Sequence, residues 1–136
     1  MIYGVVSGEV DSWWNHVEPY IEKALKHGLG EYAAEDIKKE CKEKRMQLWV
    51  HASKESKGAF VTHIMKYPQM NVLLVLTLGG ENFENWNEEL NETLVGFGKE
   101  HGCKYIELFG RKGWGKAFLN GINYKEQGRV FVKEIV

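Results

Sequence analysis

The segment Gly110, Arg111, Lys112, Gly113, Trp114, Gly115, Lys116 brings glycine, cations and an aromatic ring together. Such a loop can grip a phosphate or the acidic surface of a partner, or it can cap a short helix with Trp114 folded onto the core. Arg and Trp are favoured interface anchors, so protein contact is the easier reading if the loop acts at all. The adjacent Trp13 and Trp14 point the same way. Neighbouring side chains of a helix or strand do not easily both face inward, so one of the pair is expected on a contact surface.

Packing accounts for the other reactive side chains. His16, His27, His51, His63 and His101 are scattered, with no pair at i, i+4 and no neighbouring ligand pattern, so no metal site is expected. Cys41 sits at an apolar helix position and Cys103 beside a strand start, which suits buried packing better than nucleophilic attack. Two separated cysteines make no disulfide framework, and a reducing compartment, the cytoplasm, is the expected home. There is no hydrolase elbow or Walker loop. Eighteen Lys and Arg nearly cancel nineteen Asp and Glu, for a net charge of -1, so nucleic-acid and acidic-membrane binding are not expected. The longest apolar run, residues 72–76, is far too short to span a bilayer, and no signal region is expected at the amino end.

The elements that must position these groups read off the hydrophobic periods. Residues 2–6 form a β-branched strand ending at Ser7 and Gly8. A helix capped by Asp11 or Ser12 follows, with Val17, Tyr20, Ile21, Ala24 and Leu25 on one face until Gly28 and Gly30; Pro19 suggests that its regular part begins only there. A second helix, from 33 or 34 to 44, turns Ile37 and Cys41 inward and a solvated charge run outward. Period two then marks a hairpin, 46–52 and 59–66, turning at 53–58. Residues 72–76 have no polar face and read as the central strand, broken by Gly79 and Gly80. A long helix over 83–101 carries Trp86, Leu90, Leu94 and Phe97 on one stripe, with acids at its start and Gly102 at its end. A strand at 105–109, a short helix at 113–120 and a terminal strand at 129–136 complete the order.

This order, with the glycine break, the Gly102 stop and residues 110–122, resembles the GNAT acyltransferase superfamily over almost the whole chain. The run from Gly110 to Trp114, with Gly121 and Ile122 downstream, is similar to GNAT-like proteins encoded by tailed bacteriophages. The resemblance implies that residues 71–78 splay from their neighbour and offer backbone groups, at Leu76, Leu78, Gly79 and Gly80, to acetyl-CoA. It also implies a following loop of pattern Q/R-x-x-G-x-G/A whose N–H groups wrap the pyrophosphate at a helix start. This chain departs from that pattern: no Arg or Gln stands in the signature place, and Glu81 and Glu84 lie beside the implied phosphates. The family's acid, a Tyr four residues before a Gly, falls on Ala117; Tyr105 and Tyr124 are the nearest phenols in sequence, each at a position typical of half-buried packing.

The expectation is an α/β domain over residues 1–136: a GNAT-like mixed, mostly antiparallel sheet flanked by helices on both faces. Its acyl-CoA site reads as degenerate, with no cofactor. Its role reads as protein interaction, or a virion-associated function, through Trp13, Trp14, Arg111, Lys112 and Trp114, in a host cytoplasm or a virion. The alternative is an acetyl-CoA-dependent N-acetyltransferase with an atypical pyrophosphate loop, in which Glu81 or Glu84 deprotonates the amine and Tyr105 or Tyr124 supplies the acid.

Overall fold

The computed structural model describes residues 1–110 and 124–136. The short helix expected at 113–120 lies outside them, as do Arg111, Lys112 and Trp114. Five strands form one sheet in the order β1-β2-β3-β4-β5: β1 (Ile2–Val5), β2 (Gln47–Ala52), β3 (Lys57–Lys66), β4 (Asn71–Gly80) and β5 (Cys103–Leu108). The first four are antiparallel to their neighbours, and β5 lies parallel to β4. A parallel neighbour needs a crossover, which α3 (Asn87–Glu100) provides.

Helices cover both faces, as the sequence pattern demands. On one face Val10, Trp14, Val17 and Ile21 of α1 (Val10–Leu25), with Ile37 and Cys41 of α2 (Ala34–Lys42), pack on Leu48, Val50, Ala59 and Val61. On the other face Trp86, Leu90 and Leu94 pack on Phe60, Leu73, Val75 and Leu78. The apolar run of β4 therefore has a core on each side, as its lack of a polar face requires. Asp11 of α1 pairs with Lys38 and Lys42 of α2 at 3.5 and 2.9 Å.

Four expectations change. First, α1 does not wait for Pro19 but starts at Val10 and runs through it. Proline removes the N–H that Asn15 would otherwise receive, yet Asn15 is exposed to water, and the stripe of Val10 and Trp14 upstream holds the helix together. Second, Gly79 and Gly80 do not break β4. They lie inside it, opposite Ala59 and Gly58. Third, the long helix begins later: residues Phe83–Asn85 make one 3-10 turn, Trp86 at φ -139 and ψ 8 is neither helical nor extended, and α3 follows. Fourth, residues 129–136 form no strand; β-branched composition favours a pleat but cannot create one without a paired neighbour.

The first three outcomes meet at Trp86, which is 1% exposed. Its ring lies where side chains of Gly58 and Gly80 would stand: a Cβ added there would come within 2.6 and 2.8 Å of Trp86 Cζ2. A Cβ on Gly79 would meet the Tyr20 carbonyl oxygen of α1 at 2.8 Å. The glycines thus let a helix approach one face and an indole the other. Gly80→Ala should lower unfolding stability by about 1–3 kcal/mol through overpacking, and Trp86→Ala by about 3–5 kcal/mol, both measurable by denaturant unfolding.

Candidate functional site

The region that could hold a ligand is the carboxyl end of β4. Pairing of β4 with β5 ends at Val75 opposite Leu108, while β4 continues to Gly80. On the other side the register with β3 shifts, Val61 facing Thr77 and Thr62 facing Val75, which leaves Leu76 as a bulge. A bulge bends its strand and increases the local twist. Beyond Val75 no described strand pairs with the far edge of β4, so the sheet opens there.

Ladder alternation decides which backbone groups face the opening. Glu81 N–H donates to the Lys57 carbonyl at 2.8 Å. Gly79 faces β3 with it, whereas Leu78 and Gly80 turn their N–H and C=O toward the open edge. Of the four backbone positions expected to serve a coenzyme, Gly79 is thus committed to the sheet, Leu76 is the bulge, and Leu78 and Gly80 remain available.

The turn that follows is built for packing. Trp86 Nε1 donates to the Glu81 carbonyl at 3.0 Å, and Asn82, left-handed at φ 50, donates from its side chain to the Glu55 carbonyl at 2.8 Å. Phe83 stacks on Trp86 at 4.8 Å. Glu81 and Glu84 are both exposed, and Glu88 and Glu89 occupy the first turn of α3. No Lys or Arg occurs between Tyr67 and Gly98. Tyr20 reaches this region from α1; burial, then the charge of Glu81, raises its phenol above the ordinary range. Sequence reasoning placed Tyr20 only in the core.

A pyrophosphate cradle draws on free N–H groups and cations, and the α3 start carries acids. A pantetheine-like chain would still find the backbone of Leu78 and Gly80.

Of the two expected phenols, the structure brings one to the opening. Tyr124 lines one pocket with Val75, Leu78, Leu90, Leu94 and Leu108, and with Asn87 and Asn91, and burial pushes its hydroxyl up to about 12. Tyr105 stands opposite Val72, below the split, and is exposed. Trp14 is core, 4% exposed, its Nε1 bound to Glu18 at 3.0 Å, so it is no contact surface; only Trp13 is half-exposed, edge-on to His16. Burial pushes the Cys41 thiol up to about 12 and raises that of Cys103, which keeps both protonated and unreactive. Among the described residues no group of His, Cys, Asp and Glu suits a metal, and no helix is long and apolar enough to cross a membrane.

Among the described residues, His51 is the one titratable ring near this end that is fully enclosed. It stacks on Trp86 at 4.5 Å, its Nε2 meets Ser56 Oγ at 2.8 Å, and its Nδ1 meets the Met1 ammonium at 3.2 Å. An ammonium on Nδ1 leaves the proton on Nε2, pointing at the serine, so the ring is no base toward Ser56. Glu89 anchors the same corner by accepting from Ile2 N–H at 2.8 Å.

No family model and no curated protein sequence matches the chain. Solved structures do. A probable acetyltransferase aligns with 100% of this chain and 98% of its own at 10% identity, TM-score 0.73. An aminoglycoside acetyltransferase from an uncultured soil metagenomic sample, in complex with sisomicin, covers 100% and 96% at 12% identity, TM-score 0.71. A ribosomal-protein-alanine N-acetyltransferase from Brucella melitensis biovar Abortus 2308 covers 99% of each chain at 8% identity, TM-score 0.69. The chain has a GNAT-like fold. In that GNAT sheet the opening after Val75 is the feature expected of residues 71–78; identities this low carry the fold and not the chemistry.

Burial and then the Met1 ammonium hold His51 below its ordinary range, although Glu89 opposes them. The folded chain therefore binds fewer protons at this ring than the unfolded chain. Its contribution is complete above about pH 6.5 and is lost as pH falls through that value toward the folded pKa. Unfolding curves between about pH 5 and 7.5 should show this loss, and His51→Phe, which keeps the stack on Trp86, should flatten it.

Proposed function

We propose that this chain is a GNAT-fold protein that has given up ordinary acyl-CoA chemistry and works through protein contact. One observation carries the reading. The end of β4 spends its glycines on seating Trp86 and α1, and carboxylates surround the α3 start where a diphosphate would dock. Exposed apolar side chains supply the contact surface instead: Tyr105 and Phe109 on and after β5, and the segment from Val130 to Val136. Trp13 adds a half-exposed ring, and the cations and Trp114 of the 111–114 run belong to this reading from the sequence. A virion-associated setting rests on the sequence resemblance alone.

A second reading is favoured by the opening of the sheet. There the backbone of Leu78 and Gly80 would hold the acyl donor's arm, Glu81 or Glu84 would take a proton from an amine, and Tyr124, protonated at neutral pH, would donate one.

Acetyl-CoA separates the two. A ligand at about a hundred times its Kd that binds only the native state raises unfolding free energy by about 2.7 kcal/mol. The unaltered chain should show no such rise with millimolar acetyl-CoA, whereas Glu81→Gln combined with Glu84→Arg should gain measurable affinity. Micromolar binding by the unaltered chain overturns the first reading and supports the second.

A further inference from the structure

At the other end of the sheet, away from the split, a glycine leaves an aromatic face bare. Gly4, Trp49 and Phe60 stand in register across β1, β2 and β3. On the β3 side Phe60 stacks parallel to the indole at 5.7 Å, and Phe97 of α3 meets it edge-on at 5.1 Å. On the β1 side there is no side chain. A Cβ built on Gly4 would lie 3.3, 3.5 and 3.8 Å from three carbons of the six-membered ring, distances that set it over the ring face and not at the rim. Gly4 is exposed and has no positive φ, so the backbone does not demand glycine there. Glycine inside a strand costs stability, and one use of it is to let a ligand come close.

The bare face opens into a cavity of about 280 Å³ between the end of β1, the end of α2 and the start of β2. Val5, Val6, Leu48 and Phe97 give it apolar walls; its polar side chains are Ser7, Gln47 and Lys44, and no Asp or Glu lines it. Lys44 is left-handed at φ 64 just past α2, a position where glycine is the usual residue. Backbone strain of this kind points to a use for the side chain. Its ammonium has no ion-pair partner among the described residues. Gln47 spends its Oε1 on Thr62 Oγ1 at 2.8 Å, which leaves its amide N–H groups to donate elsewhere.

We propose that this cavity binds a small aromatic monocarboxylate, with the ring laid on the open face of Trp49 above Gly4 and the carboxylate held by Lys44 and Gln47. Gln47 and Trp49 share one face of β2 and lie two residues, about 7 Å, apart. That spacing suits a ring and a carboxylate joined by a short alkyl link. The ring completes a stack that Phe60 begins on the other side, and the carboxylate receives charge-assisted hydrogen bonds. The walls select the class: one cation, spare donors and no acid favour an anion, and a flat apolar slot favours a ring. His51 and Ala52, at the far end of β2, are about 16 Å from Gln47 along the strand. The site therefore stands apart from the split and from both functional readings above.

Indole N–H signals in a heteronuclear NMR spectrum of the whole chain report on the cavity, the Trp49 signal being the one lost in Trp49→Phe. Phenylpropanoate and naphthylacetate at millimolar concentration should shift that signal saturably, and propanoate, which lacks the ring, should not. Phenylpropanamide should bind about tenfold more weakly than the acid, because it forgoes the charge-assisted bond. Lys44→Gly suits the left-handed backbone and so keeps the fold; it should weaken the acids by the same factor and leave the amide unchanged. Gly4→Ala should cover the ring face and abolish the shift with acid and amide alike. No saturable Trp49 shift with either acid overturns the proposal, as do acids that bind Lys44→Gly as tightly as the unaltered chain or still bind Gly4→Ala. A Trp49 signal that moves on diluting the protein alone also overturns it, and assigns the bare face to a second copy of the chain.

Discussion

Trp86 seated between two glycines governs the functional end of this molecule. Gly58 and Gly80 face each other across β3 and β4, and the absence of their side chains makes a shallow trough that receives the Cζ2 edge of the indole. His51 and Phe83 both stack on the ring. Once the ring is there, β4 must run to its last glycine, the turn must be short, and α3 can start only at Asn87. An indole buries more apolar area than most side chains, and its N–H finds the Glu81 carbonyl, so the arrangement is both apolar and satisfied. The consequence is spatial: Trp86 and Tyr20 occupy the room that side chains at these glycines would take.

Much of the fold was legible because its signals are periodic. The unbroken run at the centre of β4, the period-two hairpin and the stripe of Leu90 and Leu94 each specify an element and a buried face without help from distant residues. The misread points depend on partners far away in sequence. Gly79 and Gly80 look like a break to any local rule, and only Trp86 and Tyr20 explain them. Pro19 looks like a helix start until Val10 and Trp14 are seen to anchor the turn before it. Residues 129–136 look like a strand, and composition alone cannot say which edge would receive them.

The site was legible in its charge and not in its shape. The run of acids after β4 and the missing cations stand openly in the chain, so the objection to a diphosphate could be raised before any coordinates. The bulge at Leu76 leaves no mark in composition, since it is a register shift between two strands of ordinary apolar residues. Tyr124 and Tyr105 were equivalent by sequence; only pairing with β4 puts Tyr105 below the split, and only the fold brings Tyr124 to the opening. The enclosure of His51 was invisible because each of its neighbours comes from a different element.

The parallel placement of β5 bears on how the molecule comes apart. β2, β3 and β4 are joined by tight turns, so their contacts form between residues close along the chain and can assemble early. β5 reaches β4 only after the α3 crossover, and it holds just the first half of that strand. The least costly partial opening therefore lifts β5 and α3 together from a meander that stays intact. Backbone amides of β3 would then exchange with solvent only on global unfolding, while those of β5 exchange through the smaller opening, so the half of the sheet bearing the split is also the half that breathes.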